Sequence, residues 1–179
     1  MTLRTHAAIA SLVVIAGTAV VVPVLAGGDK VAFPADYDKG VLFTTVDRAD
    51  NKQYRELYTS AAALEAAKKG EPLPDGTVIT LVQYAAKLDA QGNPEKDANG
   101  RFIKDRLVAY TVMEKRAGWG KEYPDDIRNG EWEYQAFTAD KKVNDKAVLA
   151  NCFKCHKPLD ARQDFVFTYD KLKTPIATR

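Results

Sequence analysis

The run Cys152-Phe153-Lys154-Cys155-His156 contains both cysteines of the chain and one of its two histidines. A C-x-x-C-H spacing suits covalent attachment of haem. Two thiols add to the two vinyl groups, and the imidazole of the next residue reaches the iron as proximal ligand. Cys152 and Cys155 are therefore the candidate attachment residues for one haem c, and His156 is the candidate iron ligand. Two other chemistries use similar residues. A thioredoxin-type C-x-x-C follows a strand early in a βαβ unit and needs no histidine in that place, whereas this motif comes late, after a helical stretch. A structural zinc site needs four ligands, and beyond residue 26 the Cys/His set ends with Cys152, Cys155 and His156, so zinc would have to borrow a carboxylate.

The start of the chain favours haem, because c-type haem is attached outside the cytoplasm. Arg4 and His6 precede an uncharged run from Ala7 to Leu25 rich in Val, Ala and Ile, and Val24-Leu25-Ala26 offers compact residues at the usual cleavage positions. Residues 1–26 read as a signal peptide, with a mature chain from Gly27. The alternative is an uncleaved N-terminal membrane anchor, since about 19 apolar residues can just span a bilayer. Pro23 and the Gly-Gly pair after Ala26 suit processing better. No cysteine follows the apolar run to take a lipid, and with both thiols committed to haem no disulfide is expected. Residues 27–179 make one domain, large enough to bury a core around a cofactor. The charge is 26 basic against 24 acidic residues, +2 net and interspersed, which gives no electrostatic case for nucleic acid.

The elements that must hold the motif are mostly strands. β-Branched and aromatic residues over 41–46 predict a first strand, and 54–58 a second. Ser60 is placed to cap an alanine-rich helix over 61–69, with Gly70 where a helix C-terminus favours a left-handed residue. Residues 77–88 predict a long strand with Ile79 and Leu81 on one face and Val78, Val82 and Tyr84 on the other, both partly buried. Residues 89–100 are expected to be a flexible connection to a strand over 107–115, completing an antiparallel hairpin. Alternation over 131–137 predicts another strand with Trp132 and Tyr134 facing the core. Residues 144–156 suit a short helix carrying the haem motif, with Val148 and Leu149 packed inwards, and 165–167 an extended apolar piece. The fold class is α+β, predominantly antiparallel β-sheet with a few helices, unlike an all-helical haem carrier.

The role of a haem protein turns on the far side of the iron: a strong protein ligand gives an electron carrier, and an open site binds small molecules. His6 leaves with the leader, and Met113 is the only methionine beyond residue 1. A His/Met electron-transfer site rests on Met113, which also reads as ordinary packing in a strand. A lysine ligand would need burial to lose its proton. An open or water-bound site is the better reading. Arg55 and Glu114 are the polar residues that could act on a bound ligand, although a strand arginine often pairs with a carboxylate or a haem propionate, and a glutamate beside Lys115 and Arg116 suits a solvated row.

Several stretches together resemble the cytochrome P-460 family and its relatives the cytochromes c′-beta. They are Phe33-Pro34-x-x-Tyr37, Tyr54-Arg55-x-x-Tyr58, Lys68-Lys69-Gly70, Asp75-Gly76-Thr77-Val78, Tyr123-Pro124, residues 132–137, and the haem motif followed by Asp164-Phe165-Val166-Phe167-Thr168. The resemblance implies a β-rich haem domain, a homodimer in the periplasm, with one five-coordinate c-type haem on His156. Members named for P-460 carry a lysine bonded to the porphyrin edge and oxidise hydroxylamine. Counted from Gly76-Thr77-Val78, that lysine falls on Leu81, which cannot form the bond, and Lys87 lies out of register. The chain therefore looks more like the uncross-linked c′-beta type, with Leu81 as a wall of an apolar distal pocket that admits nitric oxide or carbon monoxide. Arg55 matches an arginine of the cross-linked enzymes, and Glu114 falls near their pocket carboxylate.

Three functions follow as expectations: a haem protein binding nitric oxide or a similar small gaseous or nitrogenous ligand, a redox enzyme acting on hydroxylamine, nitric oxide or peroxide, and an electron carrier with Met113 as sixth ligand. A redox partner protein is a further candidate partner.

Overall fold

A single antiparallel sheet organises the chain. Its strands are β1 (Val41–Arg48), β2 (Gln53–Thr59), β3 (Val78–Ala86), β4 (Lys104–Lys115) and β5 (Trp132–Thr138), in the order β1-β2-β3-β4-β5. This computed structural model describes residues 30–176, and the expected leader, residues 1–26, lies outside them. Among the described residues three short α-helices accompany the sheet: α1 (Ala61–Lys69), α2 (Ala150–His156) and α3 (Tyr169–Lys173). The fold is α+β, as the pattern of strands predicts. Among the described residues no helix is long and apolar enough to cross a membrane.

Local chemistry accounts for the best-defined boundaries. The Ser60 hydroxyl accepts the Ala63 N–H at 3.2 Å and starts α1, and Gly70 at φ 73° ends it, its N–H bonded back to the Ala66 and Ala67 carbonyls. Residues 89–100 are not the expected flexible connection. Asp89 Oδ1 accepts the N–H groups of Gln91 and Asn93, and Asp97 Oδ1 those of Asn99 and Arg101, all at 2.8–2.9 Å. These two aspartate-bonded turns allow bridges at Leu88–Pro94 and Lys96–Phe102, which extend the β3–β4 hairpin. Side-chain bonds to the backbone give order where composition alone reads as loop.

Both faces of the sheet are covered. The face bearing Leu57, Ile79, Met113, Trp132 and Tyr134 packs against α1, α2 and α3 through Ala63, Leu64, Phe153 and Leu172. The other face, with Val82, Tyr110, Val112 and Phe137, is covered by the segment of Val31, Phe33 and Tyr37. Trp132 and Tyr134 face the core as expected, and Glu133 and Gln135 on the opposite face are buried as well.

Three local expectations are corrected near the motif. The helix begins at Ala150 rather than 144, and Val148 is 64% exposed instead of packed inwards. The backbone from 144 forms turns, with the Ala147 N–H on the Asn144 carbonyl and the Asn151 N–H on the Val148 carbonyl, which carry Val148 past the core. Residues 165–167 turn rather than extend, because Phe165 sits at φ 56°; they lead into α3, which the sequence pattern did not predict.

Candidate functional site

A seven-residue helix is too short to hold itself in water, and α2 has no side-chain bond at its N-terminus. Tertiary contacts hold it instead. Phe153, between the two cysteines, is 1% exposed, with its ring centroid 4.8 Å from those of Tyr123 and Tyr134. Asn129 donates its amide N–H groups to the Phe153 carbonyl at 3.0 Å and to the Tyr134 hydroxyl at 3.1 Å. Lys157 donates to the Arg128 carbonyl at 2.8 Å and to that of Asp125. Phe153 turned to the core puts Cys152 and Cys155, three apart, together on the remaining face.

The imidazole is fixed from the other side. His156 Nδ1 lies 2.7 Å from the Phe165 carbonyl oxygen. A carbonyl only accepts, so Nδ1 carries the proton and Nε2 keeps its lone pair for a metal. Burial holds this histidine below its ordinary value and so favours the neutral ring, against the opposing pull of the Phe165 bond. The rings of Tyr134 and Phe167 lie 5.0 Å from it. Burial, with Cys155 as a neighbour, pushes the Cys152 thiol up. A disulfide-exchange C-x-x-C depends on the opposite, a thiolate lowered by its surroundings.

Beside His156 and Cys155 lies a cavity of about 340 Å³. Its wall is one face of the sheet, set by register: Val46 pairs with Arg55, Leu57 with Leu81, Leu81 with Thr111, Ile79 with Met113, and Met113 with Tyr134. Directly paired residues point to the same face, so one antiparallel ladder brings five strands to one pocket. Thr168, Val166 and Phe167 close it from the chain after α2. The lining is mostly hydrocarbon, with Arg48 and Arg55 at its polar end. Arg48 donates to Asp50 at 2.6 and 2.9 Å. Arg55 donates to the Gln53 side-chain oxygen at 2.7 and 2.9 Å, a neutral partner, and burial together with the Arg48 charge lowers its proton affinity.

The structure brings Leu81, Arg55, Met113, Cys155 and His156 to this cavity. Glu114 does not join them. One position beyond Met113, it points to the other face of β4, opposite Val78 and Glu133, and accepts from Arg116 at 2.6 Å. The period of two that turns Met113 inwards turns Glu114 away. Lys87 is also outside the lining, paired with Glu95 at 2.8 Å. A more open hollow of about 430 Å³ on the other sheet face, lined by Tyr37, Tyr58 and Val78, has no thiol or imidazole.

Sequence reasoning missed Arg48, Thr111 and Tyr134 as lining residues. Thr111 was within reach, two positions from Met113 on the same strand. Asn129, which ties α2 to Tyr134, carried no signal at all.

Among the described residues, no three His, Cys, Asp or Glu side chains gather into a metal site of their own. The donor set instead fits haem: an imidazole with Nδ1 occupied and Nε2 free, thiols on one helix face, and an apolar cavity alongside. An α+β domain with such a site belongs to the haem proteins. Family comparison makes the assignment specific: residues 34–168 match the family model described as cytochrome P-460, and the chain belongs to the cytochrome P-460 family, a family of c-type haem proteins. No curated protein matches the chain.

Proposed function

We propose that the protein is an exported, periplasmic c-type haem protein that takes up nitric oxide or a similar small uncharged ligand. One haem joins Cys152 and Cys155 through thioether bonds, with His156 as its proximal iron ligand. When bound, the haem supplies a redox-active iron with a site for a diatomic ligand. The observation that carries this reading is the hydrocarbon wall of Leu57, Ile79, Leu81 and Met113 in the same cavity as His156. These four side chains offer no partner to water or to an anion, whose desolvation is costly, and the cavity's two arginines are engaged by Asp50 and Gln53; small apolar molecules meet no such cost. Leu81 stands where a cross-linking lysine would mark hydroxylamine chemistry, and Glu114 on the opposite face is poorly placed for proton transfer in this cavity.

Removal of residues 1–26 would release the mature chain, and a homodimer accords with the family resemblance; a redox partner protein would exchange electrons with the iron. Optical spectra of the purified protein, oxidised and reduced, with and without nitric oxide, test the reading. A high-spin ferrous spectrum that changes on adding nitric oxide supports it. A red-shifted ferrous Soret band of the cross-linked type would refute it.

Met113 supports a second reading, electron transfer, because its thioether lines the same cavity as His156. That reading requires a low-spin spectrum that becomes high-spin in Met113→Leu.

A further inference from the structure

Between α2 and α3 three side-chain-bearing residues have positive φ: Asp160 at 54°, Asp164 at 46° and Phe165 at 56°. Left-handed backbone costs such residues roughly 1–2 kcal/mol each, so it persists only where surrounding contacts impose it. Asp164 makes those contacts. The residue is 7% exposed, and its carboxylate accepts the Leu73 N–H at 2.8 Å, Lys115 Nζ at 2.8 and 3.0 Å, and the Trp132 indole N–H at 3.4 Å. Lys115 in turn donates to the Leu73 carbonyl at 2.8 Å. One side chain thus ties the turn to the α1–β3 connection, to β4 and to β5. The carbonyl of the next residue, Phe165, is the acceptor of His156 Nδ1–H.

We propose that Asp164, clamped by Lys115, is a positioning residue for the proximal imidazole: it holds the strained turn so that the Phe165 carbonyl stays aimed at Nδ1. The effect reaches the iron through electron donation. A carbonyl at 2.7 Å fixes the tautomer and ring orientation and makes Nε2 a stronger donor, which favours the ferric state. With the clamp released, the turn relaxes to ordinary φ, the acceptor moves away and the reduction potential rises. This role depends on His156 as iron ligand.

The test uses the full haem-loaded protein and compares Asp164→Asn and Lys115→Met with the parent. Two readouts are the reduction potential and the ferrous iron–imidazole stretching frequency. The clamp predicts a lower frequency and a higher potential in both variants. Charge alone predicts opposite shifts, because loss of the carboxylate raises the potential and loss of the ammonium lowers it, while the frequency stays put. An unmoved frequency, or a potential that falls in Lys115→Met, overturns the proposal. Asp164→Glu serves if the others fail to fold: it keeps the charge, lengthens the tether by one methylene, and must also lower the frequency, an unchanged value again refuting the clamp. A parent protein that is high-spin when reduced yet shows no iron–imidazole band overturns the His156 assignment itself; a band present but unmoved by the variants overturns only the clamp.

Discussion

Replacing Phe153 with alanine tests how far the packing of its ring holds α2 in place. Its ring is 1% exposed and touches Tyr123 and Tyr134 at 4.8 Å centroid distances. Truncating a fully buried phenylalanine costs about 3–5 kcal/mol, from lost transfer energy and the cavity left behind. The seven residues of α2 have no propensity reserve to offset this, being well short of the roughly 12–15 residues an isolated helix needs. The loss is a large share of the roughly 5–15 kcal/mol that holds a domain. Since α2 lies outside the sheet, it should open locally before the sheet unfolds, raising amide exchange in the helix about a hundredfold or more. Phe167→Ala is the control, because that ring is 55% exposed and its removal should cost well under about 1 kcal/mol. Urea unfolding of the haem-free chain and hydrogen exchange on the loaded protein measure both effects, with haem loading falling in Phe153→Ala. A cost below about 1 kcal/mol for Phe153→Ala, or equal costs for the two variants, would refute the packing argument.

Three further outcomes are expected. Burial raises the Glu133 carboxyl above its ordinary value of 4.5, against the opposing pull of Tyr123 and Lys30. A raised folded value means that this residue's contribution to stability is fully present below pH 4.5 and is lost as pH rises through the folded value. Glu133→Gln should therefore be more stable than the parent at neutral pH, with the advantage vanishing below pH 4.5 in denaturation curves recorded across pH. Gly130→Ala should destabilise by about 1–2 kcal/mol or more in the same assay, because φ is 59° there and a Cβ would meet the Phe165 ring at 3.1 Å. Leu81→Ala should open the hydrocarbon wall and let azide or cyanide bind the ferric protein severalfold tighter, read by optical titration; an unchanged affinity would remove Leu81 from the distal wall.

Much of the fold was legible because its signals are local. Alternation along each strand, the Ser60 cap and the Gly70 stop act within a few residues, and the structure carries them out as composition predicts. The C-x-x-C-H run named thiols and imidazole without any fold, since its chemistry depends on spacing within one helical turn. Positions decided by contacts distant in sequence were not legible. Asp97 and Asp89 build turns from backbone bonds that composition reads as loop, and Val148 points outwards because the turns before α2 carry it past the core.

The sequence by itself determined the candidate donor atoms, the antiparallel sheet and the apolar character of residue 81. Tertiary structure alone decided which side chains share the cavity. Strand register sends Arg55, Leu81 and Met113 to one face and Glu114 to the other, a choice set by pairing partners up to dozens of residues away. It also decided which acceptor meets His156 Nδ1: a backbone carbonyl, set in place by an aspartate whose partners lie on β4, β5 and the α1–β3 connection. Residue types carry chemistry locally, but the direction of a hydrogen bond belongs to the packed chain.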